Sequence, residues 1–127
     1  MRDFKFRVWS CSLERYLSDD EWCLSLNGEL LFKSLWEGKS DLIVADPKTY
    51  IIEQYTGLND KNGTAIYEGD LVNFEIEVYF NRKEKCVNQE VFFEEGVFLF
   101  GRLELFSYVD VNFKHETLEV IGNIHEK

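Results

Sequence analysis

The chain has 127 residues, with 14 Lys and Arg against 24 Asp and Glu, a formal net charge of −10, and 45% hydrophobic and 16% aromatic residues. That apolar content excludes a disordered acidic tail, and no apolar run approaches the ~20 residues of a membrane-spanning helix. A single domain of this length buries about two thirds of its unfolded surface, so it needs neither disulfide nor metal to fold. The opening residues, Met1 to Phe6, alternate charge with aromatic side chains and carry no signal-peptide core, so a soluble protein of the cytoplasm is expected. Cys11, Cys23 and Cys86 form no Cys-x-x-Cys pair, which fits reduced, buried or half-buried thiols and not a zinc or disulfide framework.

The dominant period is two. Phe4, Phe6 and Val8 alternate with Lys5, Arg7 and Trp9, which predicts a strand with one buried face. Residues 22–26 and 29–32 flank Asn27-Gly28, the dipeptide preferred where both central residues of a hairpin turn need positive φ. Ser18 and Glu21 have capping-box spacing, so a short helix over 19–26 is the alternative to this hairpin. Residues 34–40 are expected to be loop, and Asp46-Pro47 to turn the chain after Leu42–Ala45. Residues 49–56 read as a strand and 57–63 as a turn cluster.

Val72, Phe74, Ile76, Val78 and Phe80 share one face, with Asn73, Glu75, Glu77 and Tyr79 opposite, which is the clearest strand pattern in the chain. Arg82-Lys83-Glu84-Lys85 is expected to be a solvated hairpin tip. Residues 91–93 and 97–100 flank Glu94-Glu95-Gly96 as a second hairpin. Leu103 and Leu105 alternate with Glu104, Phe106 and Tyr108, and residues 118–124 predict a last strand bulged at Gly122. The fold class is therefore α+β but strand-dominated, mainly β.

Catalytic and metal patterns are missing from the chain. His115-Glu116 is followed by Glu119 where a zincin needs a second His, and His125 stands ten residues from His115, so no metal is expected. A calcium loop with Gly63 at its sixth position would need carboxylates where Leu58 and Gly69 stand. The alternative is a tight turn in which Asp60 or Asn62 bonds its own backbone and Gly63 takes positive φ. Glu75, Glu77, Glu94 and Glu95 are expected on a solvated face. Arg7 and Trp9 are expected to pack structurally, as a cation–π pair or as part of a binding platform. Residues 1–57 carry 7 basic against 10 acidic groups and residues 58–127 carry 7 against 14, so acidity concentrates in the second half and disfavours nucleic acid.

Gln54-Tyr55-Thr56-Gly57-Leu58-Asn59-Asp60-Lys61-Asn62-Gly63, then Ile66-Tyr67-Glu68-Gly69-Asp70-Leu71-Val72, resembles the signature of the YopX family of phage and prophage proteins. Phe6-Arg7-Val8-Trp9 and Glu119-Val120-Ile121-Gly122-Asn123-Ile124 agree with it, so the resemblance spans nearly the whole chain. Asn59, Ala65 and His125 depart from the family's usual Lys, charged residue and Tyr, the first two in what reads as exposed turn.

The resemblance implies a single YopX-like domain over 1–127, with a subdivision at 1–56 (hairpin-rich strands) and 57–127 (an SH3-like barrel) left open. It implies a phage- or prophage-derived protein that self-associates, of unassigned biochemical activity. With no catalytic constellation and a high aromatic content, a non-enzymatic module of the host cytoplasm, without a cofactor, that self-associates or binds a host or phage protein is expected. The alternative is a nucleic-acid-associated regulator or an acidic nucleic-acid mimic. Arg7, Trp9, Tyr55, Thr56, Gly57, Leu58, Asp60, Gly63, Tyr67, Glu68, Gly69, Asp70, Gly122 and Asn123 match the family motif, and a structural role is expected for them. Trp9, Phe106 and Tyr108 are the expected interface aromatics. A carboxylate site at Glu68 and Asp70 would require a pocket that buries them side by side.

Overall fold

The computed structural model describes residues 4–36, 39–46, 48–78, 82–101 and 112–126. Among them are eleven strands and no helix: β1 Phe6–Ser10, β2 Arg15–Tyr16, β3 Trp22–Leu24, β4 Leu30–Trp36, β5 Lys39–Val44, β6 Tyr50–Asn59, β7 Ala65–Tyr67, β8 Asp70–Val78, β9 Arg82–Glu94, β10 Val97–Phe100 and β11 Asn112–Asn123. The helical part of the expected α+β class is thus not found among the described residues. They form three sheets, ordered β2-β1-β6-β7, β10-β9-β8-β11 and β3-β4-β5. The chain divides into two compact units, residues 6–53 and residues 54–127 with 1–5, so the boundary falls inside β6.

In the 6–53 unit, Val8, Leu17, Leu30 and Ala45 are buried together, with Trp22, Leu24, Phe32, Tyr50 and Ile52 packed against them. Phe4, expected on the buried face of the first strand, lies before β1 and is exposed. The hairpin reading of residues 22–32 holds over the helical one, but not through a two-residue turn. Leu24 pairs with Leu30, and the intervening chain closes with Ser25 N donating to Glu29 O (2.9 Å). Only Gly28 of the Asn-Gly pair has positive φ, and Leu26 points fully into solvent.

The capping-box bonds exist without a helix. Ser18 N and Ser18 Oγ both donate to Glu21 Oε1 at 2.7 Å, and Glu21 N donates to Ser18 O at 2.9 Å, closing a turn that leads into β3. Residues 34–36 and 39–40, expected as loop, are paired strand instead, with Ser34 opposite Asp41 and Trp36 opposite Lys39. Backbone pairing offsets their mixed polarity, a tertiary override of local composition. After Ala45, the chain turns with Thr49 N on Asp46 O (3.1 Å).

In the 54–127 unit, β8 delivers the expected alternation. Val72, Phe74 and Ile76 are buried with Ile66, Cys86, Val91 and Leu118, and Phe100, Phe113 and Val120 close the edge of this core. Phe74 and Phe113 meet at a tilt with centroids 4.8 Å apart, and Phe100 stacks on Phe113 at 5.8 Å. The basic run 82–85 is not a hairpin tip: it is the start of β9, paired residue for residue against Val78–Glu75. Glu75 and Glu77 are half-buried there, and Glu77 pairs with Lys114 at 2.9 Å. Phe80 and residues 103–108 lie outside the described residues.

The second hairpin has the primed geometry the first one lacks. Val97 pairs with Glu94, and the two residues between, Glu95 (φ 52°) and Gly96 (φ 82°), both take left-handed backbone. Thr56 is strand as expected, but Gly57, Leu58 and Asn59, expected as turn, continue β6. Tyr55 faces Tyr67 and Asn59 faces Ala65, so β6 carries two residues more than β7 there, and Gly57 (φ 89°) supplies the bend. Gly122 sits at the expected bulge: Val120 and Gly122 of β11 face Val72 and Leu71 of β8. Of the three thiols, which form no disulfide, Cys86 is buried, whereas Cys11 and Cys23 are exposed because they lie in a turn and on the outer face of β3.

Candidate functional site

The signature residues converge on backbone. Thr56 Oγ1 donates to Ile66 O (2.8 Å) and accepts from Leu58 N (3.1 Å), which holds the β6 bulge shut. Tyr55 Oη donates to Asn59 Oδ1 (2.7 Å), its ring lies 5.6 Å from that of Tyr67, and the Lys5 ammonium sits 5.5 Å from its centroid. Glu68 Oε1 accepts from Gln54 N (2.9 Å), and Asp70 Oδ2 accepts from Tyr67 N (2.8 Å) at the start of β8. Gly69 N donates to Val91 O (2.8 Å), and Ile124 N to Gly69 O (2.8 Å). Asn123 faces Asp70 and accepts from His125 N (2.9 Å).

Asp60 is 8% exposed, and its carboxylate binds backbone on both sides of the signature turn. Its Oδ1 accepts from Asn62 N (2.9 Å) and Thr64 N (2.8 Å), and its Oδ2 accepts from Val120 N of β11 (3.0 Å). Lys61 N donates to Leu118 O (2.9 Å) beside it. Burial alone would raise this carboxyl's pKa, but the amides of Val120, Thr64 and Asn62 outweigh it and hold the pKa below the ordinary Asp range. The expected turn in which Asp60 bonds its own backbone, with Gly63 at positive φ (82°), is therefore present, and it also reaches across to β11.

Arg7 and Trp9 both pack on Tyr16 of β2. Glu53 of β6, 2% exposed, accepts from Arg7 Nε (2.7 Å) and Tyr16 Oη (2.9 Å) on the same oxygen. The Arg7 guanidinium lies 4.5 Å from the Tyr16 ring centroid, and Trp9 meets that ring edge-on at 5.0 Å. Sequence reasoning missed Tyr16 and Glu53. The legible signal was an acidic residue on the inward period of β6, two before buried Tyr55.

The two irregularities of β8's neighbours open a polar cleft of about 420 Å³. Between Lys114 and Glu119, β11 carries extra residues against Glu75–Asn73, and β9 carries one extra near Asn88 (φ 53°). Lys61, Glu75, Lys85, Cys86, Glu116 and Glu119 line it. Lys61 Nζ pairs with Glu119 Oε2 at 3.2 Å, and Thr117 Oγ1 is committed to Glu75 N (2.8 Å) and Lys114 O (2.6 Å). Burial, reinforced by Glu84, pushes the Cys86 thiol up and so favours its protonated form. The cleft is a mixed-charge surface bordered by the signature turn.

The profile of one protein family, described as YopX protein, matches residues 5–127. The chain belongs to the YopX family. No curated protein matches it. Among solved structures it is similar to protein EF1440 from Enterococcus faecalis (23% identity, TM-score 0.56, covering 98% of this chain and 95% of that one). It is likewise similar to protein yopX from Bacillus subtilis (22% identity, TM-score 0.56, covering 98% and 94%). At these identities the likeness shows the fold alone. Of the YopX departures, Asn59 is a strand residue bonded to Tyr55 and Ala65 opens β7, so neither occupies the exposed turn expected for it. Among the described residues no helix is long and apolar enough to cross a membrane.

Proposed function

We propose that this chain is a non-enzymatic, phage- or prophage-derived interaction module of the host cytoplasm that self-associates through the β9–β10 hairpin, with an SH3-like barrel in its 54–127 unit. The observation that carries this reading is the hairpin's surface. Phe93 (49%), Val97 (52%) and Leu99 (36%) are exposed, and β10 is the outer strand of its sheet among the described residues. Edge strands of monomers are usually blunted by Lys, Pro or a bulge, whereas β10 reads Val-Phe-Leu-Phe. An uncharged strand edge is self-complementary when two copies pair antiparallel about a two-fold axis. The expected interface thus moves from Trp9, which is half-buried against Tyr16, to this hairpin.

The non-enzymatic reading is supported by the signature carboxylates: Asp60, Glu68 and Asp70 each accept backbone amides, which leaves them structural work. Light scattering of the purified chain across micromolar concentrations should return a dimer mass, and Val97→Lys should return a monomer. A strict monomer for the unaltered chain overturns the proposal.

A further inference from the structure

The 6–53 unit carries a second concavity, of about 350 Å³, whose chemistry differs from that of the cleft. Leu30, Ala45, Ile52 and Tyr50 form its walls, and Glu29 and Asp46 stand among the lining residues, with no Lys, Arg or His lining it among the described residues. Its volume lies at the lower end of the range for sites that take small organic ligands. Ala45 and Leu30 are buried, and Ala45 N donates to Leu30 O (2.8 Å) just past the end of β5, so these two walls belong to the unit's core. The Tyr50 ring is braced by Phe32 with centroids 4.6 Å apart.

The two carboxylates are available. Asp46 Oδ1 accepts from Lys48 N (2.9 Å), an amide that leaves the charge in place, and neither Asp46 nor Glu29 forms an ion pair among the described residues. An apolar cavity with two unneutralised carboxylates attracts a ligand with an apolar body and a cationic end, and a chain of net charge −10 concentrates such cations at its surface. Tyr50, also among the lining residues, supplies an aromatic ring of the kind that attracts a cation.

We propose that this concavity binds small amphipathic organic cations, with the apolar body against Leu30, Ala45 and Ile52 and the ammonium between Glu29, Asp46 and Tyr50. The proposal does not rest on self-association: its residues all lie in the 6–53 unit.

Ligand-observed NMR on the full chain tests it with three probes of one shape: hexylammonium, 1-hexanol and hexanoate. Hexylammonium should bind tightest and hexanoate weakest. Glu29→Gln with Asp46→Asn, both at exposed positions, should weaken hexylammonium about fivefold and leave hexanol unchanged. Val44 lines the mouth and is itself exposed, so Val44→Arg should abolish hexylammonium binding while the fold persists. Hexanoate binding as tightly as hexylammonium overturns the proposal, as does binding indifferent to Val44→Arg. A fall in light-scattering mass on adding hexylammonium would instead assign the pocket to a second copy, and would also overturn it.

Discussion

Asp60 and Glu53 are both buried acids, yet their partners give them opposite vulnerabilities. Asp60 neutralises nothing; it satisfies three amides that would otherwise be orphaned. Asp60→Ala removes the acceptor of all three, of which Val120 N is the most enclosed, and should cost about 2 kcal/mol in urea unfolding. Because its folded pKa lies below the ordinary 3.8, its stabilisation is complete above that value and is lost as pH falls through the lower folded value. Unfolding measured from pH 6 to pH 2 should therefore show an acid limb that Asp60→Asn flattens. Glu21, held at about 2 chiefly by Arg15 and then by Ser18, acts with the same sign. It is exposed, so salt should screen its share. Glu53, in contrast, answers a charge. Glu53→Gln should destabilise by about 3 kcal/mol, whereas Arg7→Met with Glu53→Leu should recover most of that loss, as replacing both members of a buried pair commonly does.

Among the elements, the two hairpins separate what local chemistry can and cannot specify. Asn27-Gly28 has the stronger turn signal, yet its loop is long, because the pairing of Leu24 with Leu30 is set by packing on the 6–53 core. Glu95-Gly96 has the weaker signal and forms the tight primed turn, with a non-glycine residue in left-handed backbone. Glu95→Asn should stabilise the chain by about 0.5 kcal/mol in thermal melts, since Asn tolerates that conformation better. Strands with clean alternation, such as β8, were legible because their period is itself the burial pattern. The run 82–85 was not, because charged residues on a paired but solvated strand look like a turn until the partner strand is known. Likewise, the backbone-directed role of Thr56, Glu68 and Asp70 was readable from residue types that favour local amide bonds. The reach of Asp60 to Val120 was not, because no local pattern encodes a partner so distant.

At the scale of the whole molecule, charge and association oppose each other. Copies that each carry −10 repel, so an apolar β10 contact must work against that field. Salt should then strengthen the proposed dimer: its dissociation constant, measured by analytical ultracentrifugation, should fall between 50 and 500 mM NaCl, conditions on the order of those that shrink the screening length below 10 Å. A contact built on ion pairs would weaken over the same range.

The bond from Val120 to Asp60 has a consequence in time as well as in energy. Its two ends stand 60 residues apart, so the intervening chain must be gathered before either benefits. Such a closure belongs late on the folding route, after the adjacent β8–β9 and β9–β10 pairings have formed. In stopped-flow experiments, Asp60→Asn should leave the refolding rate nearly unchanged and accelerate unfolding, a φ-value near zero. The signature turn would then act as a latch on lifetime: it sets how long the native state lasts once made, and not how quickly it is reached.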